Sequence, residues 1–222
     1  MIRLRKLKAS NKLYGRAITW LEEKRLEYRR AREKGEPVTS FLPLYRDDVI
    51  KAALRWETSN KCAYCESKPR DVYPGDVEHI LPRSGDPERQ LDYRNLTFVC
   101  WGCNNAKNAT EHRDDMPLLN PYADDPGRFL FASDHLVRPD LGDAARFVRG
   151  RRTIEAIGLN RHDLLEARRE IVDRCFDAIV EYRNTVEPLR TYVLHKIEDM
   201  QKADAEYSFV AKSVFEKHLS TL

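Results

Sequence analysis

Four of the five cysteines fall into two hooks, CAYC at 62–65 and CWGC at 100–103, with 34 residues between them. A Cys-x-x-Cys turn aims two thiolates at one point, and two such turns close a tetrahedron around Zn²⁺. The alternatives are a redox dithiol, which needs only one pair on a βαβ scaffold, and plain core cysteines. A structural zinc site held by Cys62, Cys65, Cys100 and Cys103 is the expectation. Between the hooks lie VEHILPRS at 77–84 and RNLTFVC at 94–100, and CNNAK at 103–107 continues from the second hook. A His after an acidic residue at a strand end, and an Asn opening a helix, can converge on one phosphate. Hydrolysis there needs a neutral imidazole to take a proton from water. It needs a hard divalent cation on oxygen ligands to stabilise the phosphate and the leaving oxygen. It also needs a group that fixes the tautomer of the imidazole. His79 supplies the base. Glu78 and Asn104 supply oxygen ligands for Mg²⁺ or a similar cation, and Asn95 is the orienting amide. Arg83 and Lys107 flank the set as candidates for nucleic-acid phosphate contacts, against a bland reading as solvated surface groups.

Residues 62–107 resemble the HNH, or ββα-metal, nucleases of the type braced by four cysteines. That pattern runs Cys-x-x-Cys, acidic-His-x-x-Pro-x-Ser, Asn-Leu, Cys-x-x-Cys-Asn-x-x-Lys. It is matched by Cys62, Cys65, Glu78, His79, Pro82, Ser84, Asn95, Leu96, Cys100, Cys103, Asn104 and Lys107. The resemblance implies His79 as general base, Glu78 and Asn104 as holders of the catalytic metal, and Asn95 as stabiliser of the loop and orienter of the base. It also implies products with 5′-phosphate and 3′-hydroxyl ends. Two positions depart from it. Glu78 stands where many members have Asp, and Gly85-Asp86-Pro87 stands where many have a Gly-Gly pair. With LLNPYADDP at 118–126 and TIEAIGLNR at 153–161, the likeness extends over about residues 45–175. There the chain is similar to the HNH component of Septu-type and retron-associated anti-phage systems, the PtuB-like proteins. This wider resemblance implies an ATPase partner of the ABC/SMC-like kind.

The elements that must position these residues are mostly helical. Leu13, Ala17, Trp20, Leu21 and Leu26 recur at helical spacing, so residues 11–34 read as a helix ending at Gly35-Glu36-Pro37. A second helix is expected over about 47–58, strands over 77–81 and 96–100, and a short helix over about 104–111. Residues 117–150 are rich in turn residues, with a short strand near 129–132. Asn160 reads as an N-cap for an apolar-striped helix that Pro188 interrupts, and two more helices follow, to about Met200 and over about 203–219. The expected fold class is α+β: a small zinc-braced ββα-metal core in a mainly α-helical chain. The expected parts are a basic N-terminal helical region (1–58), the nuclease core (59–112) and an irregular segment with C-terminal helices for interaction (113–222).

Charge adds a partner argument. Residues 1–34 carry 12 Lys and Arg against 4 Asp and Glu, although the whole chain is only +3. A basic arm points to nucleic acid or to an acidic partner face, against the bland reading of a solvated helix. The C-terminal helices after Asn160 are expected to dock on the ATPase or on a second copy of the chain. No apolar run approaches a membrane span and no h-region follows the first basic residues, so a cytoplasmic protein is expected. Cys175 lies on an apolar stripe and reads as a core thiol. Tyr64 and Trp101 read as packing over the zinc site in preference to base stacking, and His112 reads as a surface residue. The leading function is a metal-dependent endonuclease acting on nucleic acid, DNA first and RNA second, as effector of an anti-phage system. The alternatives are a catalytically inert zinc module and a stand-alone restriction endonuclease. The set Glu78, His79, Asn95 and Asn104 discriminates the first, since a pure zinc module needs none of them.

Overall fold

The computed structural model describes residues 1–8, 11–38, 46–69, 73–82, 87–108 and 115–219. Two helices lead: α1 (Lys12–Glu33) and α2 (Asp48–Glu57). Each starts on a side-chain cap, with Asn11 accepting from the Leu13 N–H and Asp47 from the Val49 N–H, both at 2.9 Å. Next come strands β1 (Asp76–His79) and β2 (Leu96–Val99) and helix α3 (Trp101–Asn108). The hairpin β3 (Leu130–Ser133) and β4 (Leu136–Pro139) precedes α4 (Ala144–Ile157), α5 (His162–Asn184), α6 (Leu189–Gln201) and α7 (Ser208–Leu219). The order of hook, β1, β2, second hook and α3 is the ββα arrangement expected from the sequence, inside a mainly helical chain.

β1 and β2 pair antiparallel in the register Asp76↔Val99, Val77↔Phe98, Glu78↔Thr97 and His79↔Leu96. Two hydrophobic cores meet at this hairpin. In one, α1 and α2 bury Ala17, Leu21, Ile50 and Leu54 against Val77, Leu96 and Phe98. In the other, Cys62–Cys65 and Cys103 pack with Leu130, Val137, Ile157, Leu164 and Val214 from the C-terminal half. The outer edge of β2 is closed by other chain segments, because unpaired buried carbonyls are costly. The Ala63 N–H donates to the Phe98 carbonyl at 2.9 Å, and the Lys6 ammonium donates to the Leu96 carbonyl.

That last contact narrows one expectation. The first residues of the basic arm are built into the fold, with Met1, Leu4 and Leu7 buried. Glu57 is the reason. Its buried carboxylate accepts from the Leu7 N–H at 2.8 Å, from the Tyr93 hydroxyl at 2.8 Å and from Lys6 at 3.2 Å. Burial pushes the Lys6 ammonium below its usual range even with Glu57 beside it. The solvent-facing basic residues of the arm are Arg3, Arg5, Lys8 and the outer face of α1.

Two further expectations differ. Helix α4 was not legible, because arginines and Gly150 break its apolar stripe; Asp143 caps it, accepting from the Arg146 N–H at 2.8 Å. Asn160 does not cap α5. Arg161 is the N-cap residue, and the Asn160 side chain instead accepts from the Val137 N–H at 2.9 Å and donates to the Val137 carbonyl at 2.8 Å. An amide that satisfies both groups of a strand residue is worth more there than as a single-bond cap.

Candidate active site and metal centre

The four hook sulfurs all lie within 4.8 Å of one another, and Cys65 and Cys100 are 3.7 Å apart. Zn–S bonds of about 2.3 Å give a tetrahedron with edges of about 3.8 Å, so the donor set fits zinc in both type and spacing. Backbone bonds hold each hook in its turn: Glu66 N–H to the Cys62 carbonyl at 3.0 Å, and Asn104 N–H to the Cys100 carbonyl at 3.1 Å. Protons must leave for a cation to enter. Hydrogen bonds from Cys103, Cys62 and Cys65 push the Cys100 thiol down. Burial pushes Cys62 up, and the bond to Cys100 pushes Cys103 up. The first hook is anchored from behind. Glu66, fully enclosed, accepts from the Ser208 hydroxyl at 3.0 Å, the Phe209 N–H at 3.2 Å and Lys61 at 3.4 Å. Cys175 is a buried thiol away from this cluster, pushed up to about 12 by burial.

Strand alternation sets the other half of the site. Asp76 and Glu78 face α3, while the His79 ring turns to the 3₁₀ segment Pro87–Leu91. The His79 Nε2–H donates to the Gln90 carbonyl at 3.0 Å. A carbonyl only accepts, so this bond fixes the tautomer and puts the lone pair of the neutral ring on Nδ1. Asn95 acts one step further out. It accepts from the Leu81 N–H at 2.8 Å and donates to the Leu81 carbonyl at 3.0 Å and the Arg89 carbonyl at 3.3 Å. It therefore ties the residues after His79 to the segment that carries Gln90. The Gln90 carbonyl is a partner of the imidazole for which the sequence offered no signal, because a backbone carbonyl leaves none.

On the α3 side, Lys107 Nζ sits 2.6 Å from Glu78 Oε1 and donates to the His79 carbonyl at 2.8 Å. Both partners are well covered, at 9 % and 8 % side-chain exposure. Lys107 is thus bound to the strand it was expected to flank. Asn104 Nδ2 donates to Asp76 Oδ2 at 3.4 Å. Asp76 is an oxygen donor the sequence reading missed; its signal was the i, i+2 spacing with Glu78 on one strand face. At the outer end, Trp101 is 54 % exposed and meets Tyr73 edge-on at 6.2 Å, so it does not pack over the cysteines as expected, whereas Tyr64 does lie buried. Arg83, Ser84 and His112 fall outside the described residues.

The flanking motifs converge on the rear of this unit. Arg149 of α4 holds Asp124 through contacts of 3.0 and 2.6 Å, and Thr153 accepts from the Leu119 N–H at 3.1 Å. Tyr122 reaches the Thr97 hydroxyl on β2 at 3.0 Å. LLNPYADDP and TIEAIGLNR are thus two parts of one frame behind the ββα unit.

Residues 62–110 match the family model described as HNH endonuclease. The chain is also 29% identical, over 117 residues, to the Septu protein PtuB of Bacillus thuringiensis. That alignment covers 52% of this chain and 43% of the relative, so the match spans less than half of the relative's length. By sequence match and by element order together, residues 62–110 carry an HNH endonuclease family domain with a four-cysteine centre, in a chain similar to Septu protein PtuB along about half its length.

Proposed function

We propose that the chain is a divalent-metal-dependent endonuclease that hydrolyses phosphodiester bonds, DNA in the first instance, leaving 5′-phosphate and 3′-hydroxyl ends. The observation that supports this reading is the placement of Asp76, Glu78 and Asn104 where β1 faces α3, with the His79 ring on the other face of the same strand, within the HNH match. His79 takes the proton of the attacking water on Nδ1 while Gln90 holds the other nitrogen. Asn95 keeps the strand end and the Gln90 segment in register. Glu78 and Asn104, with Asp76 beside them, are hard oxygen donors for Mg²⁺ or a similar cation. That cation supplies charge stabilisation at the phosphate and the leaving oxygen. The likeness to Septu protein PtuB supports a role as nuclease effector in bacterial anti-phage defence, inside the cell, beside an ABC/SMC-like ATPase. The turn between α5 and α6 supports docking of such a partner on the C-terminal helices, because Val186, Leu189 and Tyr192 are each at least 65 % exposed there.

One observation favours a second reading, a catalytically inert zinc module: Lys107 already holds the Glu78 carboxylate. A cleavage assay on plasmid, single-stranded DNA and tRNA, with Mg²⁺ and with EDTA, separates the two. Cleavage is expected with Mg²⁺ only. His79→Ala is expected to lose on the order of 10²–10⁴-fold in rate with zinc content and melting temperature unchanged. Near-wild-type cleavage by that variant, or none by the wild type with every substrate and with the ATPase added, overturns the nuclease reading.

A further inference from the structure

TIEAIGLNR ends in a residue the nuclease reading does not use. Arg161 stands at the corner between α4 and α5, and its guanidinium reaches the second hook, 58 and 61 residues earlier in the chain. Nη1 lies 3.3 Å from the Cys103 sulfur and Nη2 lies 3.5 Å from the Cys100 sulfur. Nε is held by Asp163 at 3.0 Å, and Nη1 also meets the Gly158 carbonyl at 3.4 Å. The planar fork crosses the backbone of the hook itself. A Cβ on Gly102 would lie 2.9 Å from Arg161 Cζ and Nη2 and 3.0 Å from Nε. Glycine is therefore the residue that lets the guanidinium lie flat on the CWGC turn. Beside it, Gly158 at φ 64° closes α4, and a Cβ there would lie 3.6 Å from the Ala106 Cβ on α3.

We propose that Arg161 is the outer member of the four-cysteine centre. Its two N–H groups clamp the sulfurs of Cys100 and Cys103, slow the escape of the bound metal, and fasten α3 to the α4–α5 corner. The physical need follows from charge. Four thiolates around a dication leave a net charge of about −2 in a buried place, and a buried charge needs a partner. Arginine suits this better than lysine, because its fork can bond two sulfurs at once and its charge is permanent. Groups that hold metal ligands from outside typically change metal affinity by 10- to 100-fold when removed.

This inference rests on the zinc reading, and the test keeps the two apart. Zinc content of the purified full-length protein comes first; a wild type with no zinc at the cysteines ends the zinc reading and this inference together. Zinc release to the chromogenic chelator 4-(2-pyridylazo)resorcinol is then timed for the wild type, Arg161→Met, Arg161→Lys and Gly102→Ala. Arg161→Met is expected to release zinc about 10- to 100-fold faster, with Arg161→Lys in between because it keeps charge but loses the fork. Gly102→Ala guards against a variant that does not fold. Alanine favours a helix over glycine, and the atoms in its way are the far end of a flexible side chain. The protein should therefore fold with Arg161 displaced, and should still release zinc faster. Folded Arg161→Met or Gly102→Ala protein with the wild-type release rate overturns the proposal.

Discussion

Two sets of donors meet at α3. One is four sulfurs, all but Cys100 fully buried, wrapped by the hook backbones and by Arg161. The other is Asp76, Glu78, Asn104 and Lys107, charged or amide groups, with the Trp101–Tyr73 pair exposed at the start of the helix. One eight-residue helix thus contributes both to a soft-ligand centre and to a hard-ligand set. Closure and softness suit a structural metal, and hard oxygen donors suit a metal that must meet substrate. Position in the fold follows the same division. The sulfurs pack into the core shared with α5 and α7, whereas the oxygen donors are held mainly by one another. Damage to the first side should therefore unfold the protein, and damage to the second should change chemistry or local stability.

The largest expected effect comes from Cys100→Ser. Zinc binding supplies about 10–16 kcal/mol of folding in small zinc modules. The variant should lose zinc and either aggregate or melt far below the wild type by calorimetry. EDTA dialysis should do the opposite to the other flank, stopping cleavage while zinc, by elemental analysis, stays. A Cys100→Ser protein with unchanged zinc and melting temperature would dissolve the contrast.

Lys107→Met tests the oxygen side at smaller scale. It strands the Glu78 carboxylate, a buried member of a 2.6 Å ion pair. Breaking one side of such a pair costs about 3–5 kcal/mol. Added Mn²⁺ or Mg²⁺ should then raise the melting temperature more in the variant than in the wild type, because only the cation-bound form regains a partner for Glu78. A lysine that served only as a phosphate contact would shift stability by no more than about 0.5 kcal/mol.

How much of this was readable in the sequence depends on the kind of signal. Side chains that announce chemistry at fixed spacing, such as the four cysteines and Glu78-His79, located the ββα unit, and apolar residues at helical spacing located α1 and α2. Contacts made by backbone atoms were silent: the Gln90 carbonyl on His79 and the Leu96 carbonyl on Lys6 have no residue code. Long-range partners were silent too. Asn160 has good capping chemistry, but the edge of β4 outcompeted the cap, and that edge lies 23 residues upstream. Helix α4 was hidden because its face is drawn from Gly150, Thr153, Ile154, Ala156 and Ile157, only two of which are strongly apolar.

Asn95→Ala should have an intermediate effect. The amide satisfies both backbone groups of Leu81 and reaches Arg89. Its loss leaves partly buried groups unpaired, at a cost of about 1–3 kcal/mol. Turnover should fall while substrate affinity is retained, because the displaced part is the seat of His79 and not a binding surface. A melting temperature and turnover equal to the wild type would leave the orientation of His79 to Gln90 alone.

The smallest effect on stability, and the most informative for substrate, belongs to Trp101→Ala. Trp101 is half exposed and touches Tyr73 only edge-on, so its removal should move stability within about 0.5 kcal/mol. It opens α3 one turn before Asn104, at the same end as Asp76. An aromatic face there can stack on an unpaired base, a contact worth about 1–3 kcal/mol, or roughly 5- to 150-fold in affinity. In a His79→Ala background, which keeps substrate intact, Trp101→Ala should weaken single-stranded oligonucleotide binding by that factor. Duplex binding should change less, because paired bases offer no free face. Equal losses on both substrates would make Trp101 a backbone or groove contact. No loss on either would remove it from the substrate path and leave the oxygen flank of α3 recognising nucleic acid through phosphate alone.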